Sequence, residues 1–79
     1  MTHIMFDRRS AKAFVTAYQR AVRSGKTRDE DVFIFEDAGV KHEVLITYAE
    51  YTIEYLSMRG LLDKANTASN ARKLRAEAA

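Results

Sequence analysis

Two short runs rich in β-branched and aromatic residues, Val32–Glu36 and Val40–Ile46, are separated only by Asp37-Ala38-Gly39. No other stretch leaves this chain so little choice. Such runs on either side of a short glycine-containing loop form an antiparallel hairpin. Side chains alternate along a strand. Val32 and Ile34 therefore share one face, and Phe33 and Phe35 share the other. In the second run Val40, His42, Val44 and Ile46 share a face, opposite Lys41, Glu43 and Leu45. Both faces of the first strand are apolar, and a lone hairpin is marginal in water. Helices must cover one face, and the other is left for more core or for an interface.

The flanking segments supply those helices. Over residues 10–24, Ala11, Phe14, Tyr18, Ala21 and Val22 recur at three- and four-residue spacing, opposite Lys12, Thr16, Gln19, Arg20 and Arg23. Asp7 or Ser10 is placed to cap the start, and Gly25 sits where a left-handed C-terminal cap is wanted. Gly25–Asp31 is polar and aperiodic, a loop. Thr47-Tyr48-Ala49-Glu50 has the spacing of a capping box ahead of an apolar run, so a second helix is expected from Tyr48 to about Met58, stopped by Gly60. Its stripes are Ala49, Thr52, Ile53 and Leu56, and beside them Tyr51, Tyr55, Met58 and Leu62, with Glu50, Glu54 and Ser57 as the polar side. Residues 63–79 are alanine-rich but carry Asn66, Thr67, Ser69 and Asn70, so they read as a C-terminal helix or a weakly packed tail.

The expected fold class is α+β in one small domain over residues 1–79: helix, two-stranded antiparallel β-hairpin, helix, C-terminal helix. The expected core is Phe14, Tyr18, Val22, Phe33, Phe35, Leu45, Ile53 and Leu56. Val32, Ile34, Val44 and Ile46 are either core or interface.

Composition narrows the chemistry. There is no cysteine, which excludes a disulfide framework, a zinc-thiolate site and thiol catalysis. His3 and His42 are the only histidines. His3 lies by the terminus and His42 sits on an apolar strand face, so neither is expected to be a ligand. Asp29-Glu30-Asp31 lacks the glycine and alternating spacing of a calcium loop, and the glycines are isolated, so no phosphate-cradling loop is present. Glu50 and Glu54 stand one helical turn apart in the manner of an acid–base pair, and are expected to be a solvated face. No enzyme, no metal and no cofactor are expected. No apolar run approaches the roughly 20 residues that cross a bilayer, and Met1–Phe6 has neither the basic lead nor the apolar stretch of a secretory signal.

Charge is segregated. The formal net charge of +2 describes no part of the chain. Residues 1–28 carry Arg8, Arg9, Lys12, Arg20, Arg23, Lys26 and Arg28 against Asp7, a net of +6. Residues 29–63 carry nine acidic side chains against Lys41 and Arg59, a net of −7, and residues 64–79 return to +3. Either the blocks neutralise one another in the fold, or they present faces of opposite sign to charged partners. The candidate contact residues follow: the acidic set Asp29, Glu30, Asp31, Glu36, Asp37 and Glu43, and the strip Tyr51, Tyr55 and Met58. Tyr48, Tyr51 and Tyr55 offer large apolar bodies with polar tips; they either roof the core or dock on a partner or across a dimer axis. A direct nucleic-acid reading uses Arg8, Arg9, Lys12, Arg20 and Arg23, with Arg72, Lys73 and Arg75 in support.

Ala13-Phe14-Val15-Thr16-Ala17-Tyr18, Val32-Phe33-Ile34-Phe35-Glu36 and Thr47-Tyr48-Ala49-Glu50-Tyr51-Thr52-Ile53-Glu54-Tyr55-Leu56 together resemble, in hydrophobic cadence, small accessory proteins of bacteriophages and prophages. The order helix, hairpin, helix also resembles phage head-completion proteins of the W type. The resemblance covers residues 10–58 and carries over no functional residue. It implies a viral origin in the cytoplasm of a bacterial host, and one of two roles. The first is a non-enzymatic, anti-CRISPR-like inhibitor of a host nucleic-acid-handling complex. The second is a virion joining part. A host protein or ribonucleoprotein, with a homodimer as a further option, is the expected partner.

Overall fold

A computed structural model describes residues 4–79, so His3 lies outside the described residues. The order is α1 (Arg8–Arg23), β1 (Val32–Asp37), β2 (Val40–Leu45), α2 (Ile46–Met58) and α3 (Ala68–Ala78), an α+β fold.

Helix α1 starts two residues before the expected position. Asp7 is its cap: the Asp7 carboxylate accepts from the Ser10 amide at 2.8 Å, and the Ser10 hydroxyl accepts from the Asp7 amide at 2.9 Å. The Ser10 backbone bond holds the Asp7 carboxyl below its ordinary value of 3.8. At the other end the Lys26 amide reaches the Ala21 carbonyl and the Gly25 amide reaches that of Val22, each at 3.0 Å. That Schellman closure needs the left-handed φ of +106° that Gly25 supplies. The helix buries Ala11, Phe14, Tyr18, Ala21 and Val22, the expected stripe, together with Val15.

The hairpin pairs Val32 with Leu45 through Asp37 with Val40, so its loop is the two residues Ala38 and Gly39. Both have positive φ, +51° and +81°, the pattern whose twist matches that of paired strands. Phe33 and Phe35 lie on the inner face with Val44 and His42, under α1. The Phe14 ring stands 5.1 Å from Phe35 and 6.0 Å from Phe33, and Phe6 stacks on Phe35 from the entry segment. This aromatic knot, with Tyr18, Ile46, Ile53 and Leu56, is the core.

Three expectations are corrected here. Leu45 is not core: its register opposite Val32 puts it on the outer face, 44% exposed. The second strand ends at Leu45, because Ile46 already begins α2. The Thr47–Glu50 capping box does not form, since the N-cap is Leu45 without a side-chain bond. Loop carbonyls do that work instead: the Ile46 amide donates to Asp31 at 2.8 Å, and the Thr47 amide to Asp29 at 3.4 Å. Of the four residues left open between core and interface, Val44 and Ile46 are buried, Val32 is half-buried and Ile34 is exposed.

The tail is a helix. Thr67 caps α3 by accepting from the Asn70 amide at 3.1 Å. Ala68 is buried, and Ala71 and Leu74 pack on the core between α1 and α2. Among the described residues no helix is long and apolar enough to cross a membrane.

Candidate functional site: an inverted helix and the groove beside it

Helix α2 turns its chemistry inside out. Ile46, Ala49, Ile53 and Leu56 face the core, and Glu50 faces it with them at 2% exposure. Tyr48, Tyr51, Tyr55 and Met58 face water at 57, 61, 54 and 81% exposure. Glu50 is therefore not the solvated residue its spacing from Glu54 suggested, and it is no acid–base partner of Glu54, which is exposed. The sequence carries one signal of this: Glu50 follows Ile46 by four and precedes Ile53 by three, inside the apolar stripe.

The buried carboxylate is fully partnered. The Tyr18 hydroxyl donates to Glu50 Oε2 at 2.7 Å and lies 2.9 Å from the Ala71 carbonyl. Arg75 donates through Nε at 2.7 Å and through its terminal nitrogen at 2.8 Å, a two-pronged clamp. Its remaining nitrogen reaches Asp29 at 2.8 Å and the Thr27 carbonyl at 3.2 Å. Arg72 stands 3.8 Å from the same carboxylate. Three helices (α1, α2 and α3) thus meet on one carboxylate, and Arg75 ties the loop before β1 to them. Hydrogen bonding to Glu50 strengthens the hold of Arg75 on its proton. Burial pushes the Tyr18 hydroxyl well above its ordinary value of 10, and the bond to Glu50 pushes it further. The sign follows from linkage. A group whose native pKa is raised contributes stability that is complete below its unfolded value and is lost as pH rises through the folded one. Alkaline unfolding is expected to begin above about pH 10, the unfolded tyrosine value. Tyr18→Phe should flatten that limb, checked by far-UV circular dichroism against pH.

The outward tyrosines wall a groove of about 600 Å³. It is lined also by Ile4, Phe6 and Phe14, by Thr52, and by His42–Leu45 of β2. The lining is mainly apolar, as contact sites are. Arginines flank the strip: the Arg72 guanidinium lies 5.8 Å from the Tyr51 ring centre, and that of Arg59 lies 5.7 Å from Tyr55 while donating to its hydroxyl at 2.9 Å. Tyrosine and arginine are, with tryptophan, the side chains enriched at contact hot spots.

The acidic candidates do not form one patch. Asp29 is paired with Arg75, and Asp31 accepts from the Arg28 amide at 3.0 Å, so both serve the loop itself. Glu36 and Asp37 lie at the other end of the hairpin, about 20 Å away for six extended residues. Glu43 is exposed on the outer face opposite Ile34, and Glu30 is exposed on the loop. The basic candidates do come together. Arg8, Arg9, Lys12, Arg20 and Arg23 lie within about a third of the circumference of α1, on the side away from the sheet. All five are exposed, and among the described residues none lies within 4.0 Å of a carboxylate. The charge blocks therefore cancel only in part: the tail neutralises the middle through Arg72 and Arg75, while the α1 stripe and the hairpin acids stay separate.

Among the described residues no three histidine, aspartate or glutamate side chains cluster as a metal site would need. Comparison with known proteins found no matching family model, no matching curated protein and no matching solved structure.

Proposed function

We propose that this chain is a non-catalytic protein-binding module, of the phage-type class that occupies a surface of a host nucleic-acid-handling complex. The observation that carries the reading is the inversion of α2. A helix that buries a glutamate and exposes three tyrosines and a methionine leaves apolar surface that a partner would remove from water. Glu36 and Asp37 at the loop end of the hairpin and Glu43 on its outer face add negative charge, suited to steering the protein toward a basic groove.

The test is capture from host lysate on the immobilised protein, with and without nuclease. A protein partner retained after nuclease treatment is expected. Its retention should fall at least about tenfold in Tyr51→Ala/Tyr55→Ala, by the usual worth of a pair of contact tyrosines. It should be abolished in Glu36→Lys/Asp37→Lys. Undiminished retention in both variants would sink the reading.

The unpaired stripe on α1 favours one second reading, direct binding of nucleic acid. It predicts capture that nuclease removes, affinity that falls steeply with salt, and loss in Arg20→Ala/Arg23→Ala. A virion joining part would use the same tyrosine face, and is recognised by co-purification with particles.

A further inference from the structure

The free edge of β2 runs along the groove, and its backbone bonding can be read from one hydrogen bond. The Ile46 amide donates to the Asp31 carbonyl, so the Asp31–Ile46 position is a hydrogen-bonded pair. Such pairs alternate in an antiparallel ladder. Phe33–Val44, Phe35–His42 and Asp37–Val40 are then also hydrogen-bonded pairs. Lys41 and Glu43 turn their amides and carbonyls away from β1, toward the open edge, while the Leu45 carbonyl enters the first turn of α2. Among the described residues no loop, cap or side-chain group bonds to the backbone of Lys41 or Glu43. An open edge of this kind is a template for another strand.

The side chains on that edge say which strand. We propose that β2 pairs with β2 of a second copy of this chain, antiparallel about a two-fold axis through His42, making one four-stranded sheet. In this register Lys41 stands opposite Glu43 of the second copy, twice over, and Val40 stands opposite Val44. Sliding one way sets Glu43 against Glu43, and sliding the other way sets Lys41 against Lys41, both like-charge pairs that destabilise a sheet. The β1 edge offers no such match, because its outward positions are Val32, Ile34 and Glu36. A two-fold axis normal to the sheet keeps both helical layers on one side. The two grooves then join into a single apolar seam, with Tyr48 and Tyr55 of each copy on it. The half-exposed Val40 gains cover by the same step. This inference rests on the reading that the α2–β2 face is a protein-contact surface, and it names the occupant on the β2 side.

The absence of cysteine makes the test clean. In the proposed register His42 is a non-hydrogen-bonded pair with itself, with Cα atoms roughly 4.5 Å apart, inside the range of about 4.4–6.8 Å that a disulfide spans. Single-cysteine His42→Cys is expected to give a covalent dimer on mild oxidation, while Ala13→Cys on the exposed side of α1 does not. By sedimentation, Lys41→Glu and Glu43→Lys should each weaken the dimer about tenfold, from two unfavourable cross-strand pairs per dimer. The double swap Lys41→Glu/Glu43→Lys should restore it. A monomer at tens of micromolar, or a dimer that neither single swap weakens, overturns the proposal. If His42→Cys stays monomeric while the tyrosine variant loses a captured host protein, the pairing fails and the contact-face reading stands. If His42→Cys crosslinks and no host protein is captured, the pairing stands without that reading.

Discussion

Glu50→Ala is expected to destabilise the fold by about 3 kcal/mol, the lower end of the roughly 3–5 kcal/mol for removing one member of a buried ion pair. The lower end applies because the Arg75 side chain keeps 19% exposure and still reaches Asp29 and the Thr27 carbonyl. What the substitution leaves behind is the Tyr18 hydroxyl with one acceptor, the Ala71 carbonyl, and a guanidinium with its best partner gone. A chain of this size has only roughly 4–12 kcal/mol to lose, and its melting temperature should fall by more than about 10 °C. Glu50→Gln keeps the shape and one acceptor oxygen, and should cost about half as much. The double variant Glu50→Leu/Arg75→Leu removes both charges at once. It is expected to recover most of the loss, because well-packed apolar replacements of buried pairs are often neutral. Thermal melts of the four proteins check this. If Glu50→Ala melts within about 2 °C of the parent, the carboxylate does not hold the three helices together.

Phe14→Ala should cost more, about 3–5 kcal/mol. Phe14 is 1% exposed and sits between Phe6, Phe33 and Phe35, with an edge-to-face contact to Phe6 at 5.5 Å and to Phe35 at 5.1 Å. Truncation opens a cavity where α1, the entry segment and both inner phenylalanines of β1 meet. Phe14→Leu, which fills much of that space, should recover more than half the loss. In urea the midpoint should fall with the slope unchanged, as for a loss of packing within one cooperative unit. A cost under about 1 kcal/mol would place the core elsewhere. Together the two variants separate the two fastenings of the fold. Phe14 holds helix to sheet, and Glu50 holds helix to helix.

Most of the secondary structure was legible in the sequence because it rests on local pattern. The apolar spacing of α1, the alternation of the hairpin and the glycines after α1 and α2 each depend on residues within about one turn. The places where that logic failed share a cause. The second helix was expected to cap itself with Thr47 and Glu50, a local arrangement. The fold gives its first amides to carbonyls of Asp29 and Asp31, and spends Glu50 on Arg75, 25 residues away. Leu45 has the hydrophobicity of a core residue and is expected in the core. Its face was decided by the register with Val32, and by the turn into α2 that follows at once.

The candidate site divides in the same way. The aromatic content of α2 and the segregation of charge are properties of the sequence, and helical spacing picks out Tyr51, Tyr55, Met58 and the basic side of α1. For which way those side chains face, the local pattern offers one signal, the spacing of Glu50 from Ile46 and Ile53, and it does not outweigh the cost of burying a charge. By itself a carboxylate has a weaker claim on a buried position than a tyrosine. Glu50 lies inside because Tyr18 and Arg75 partner it there. So the sequence by itself determined the elements, their order and the two-faced hairpin, since each follows from short-range periodicity. Only the tertiary structure decided that the acid of α2 lies inside and its tyrosines outside, because the free energy of a buried charge depends on groups that the chain brings near it only on folding.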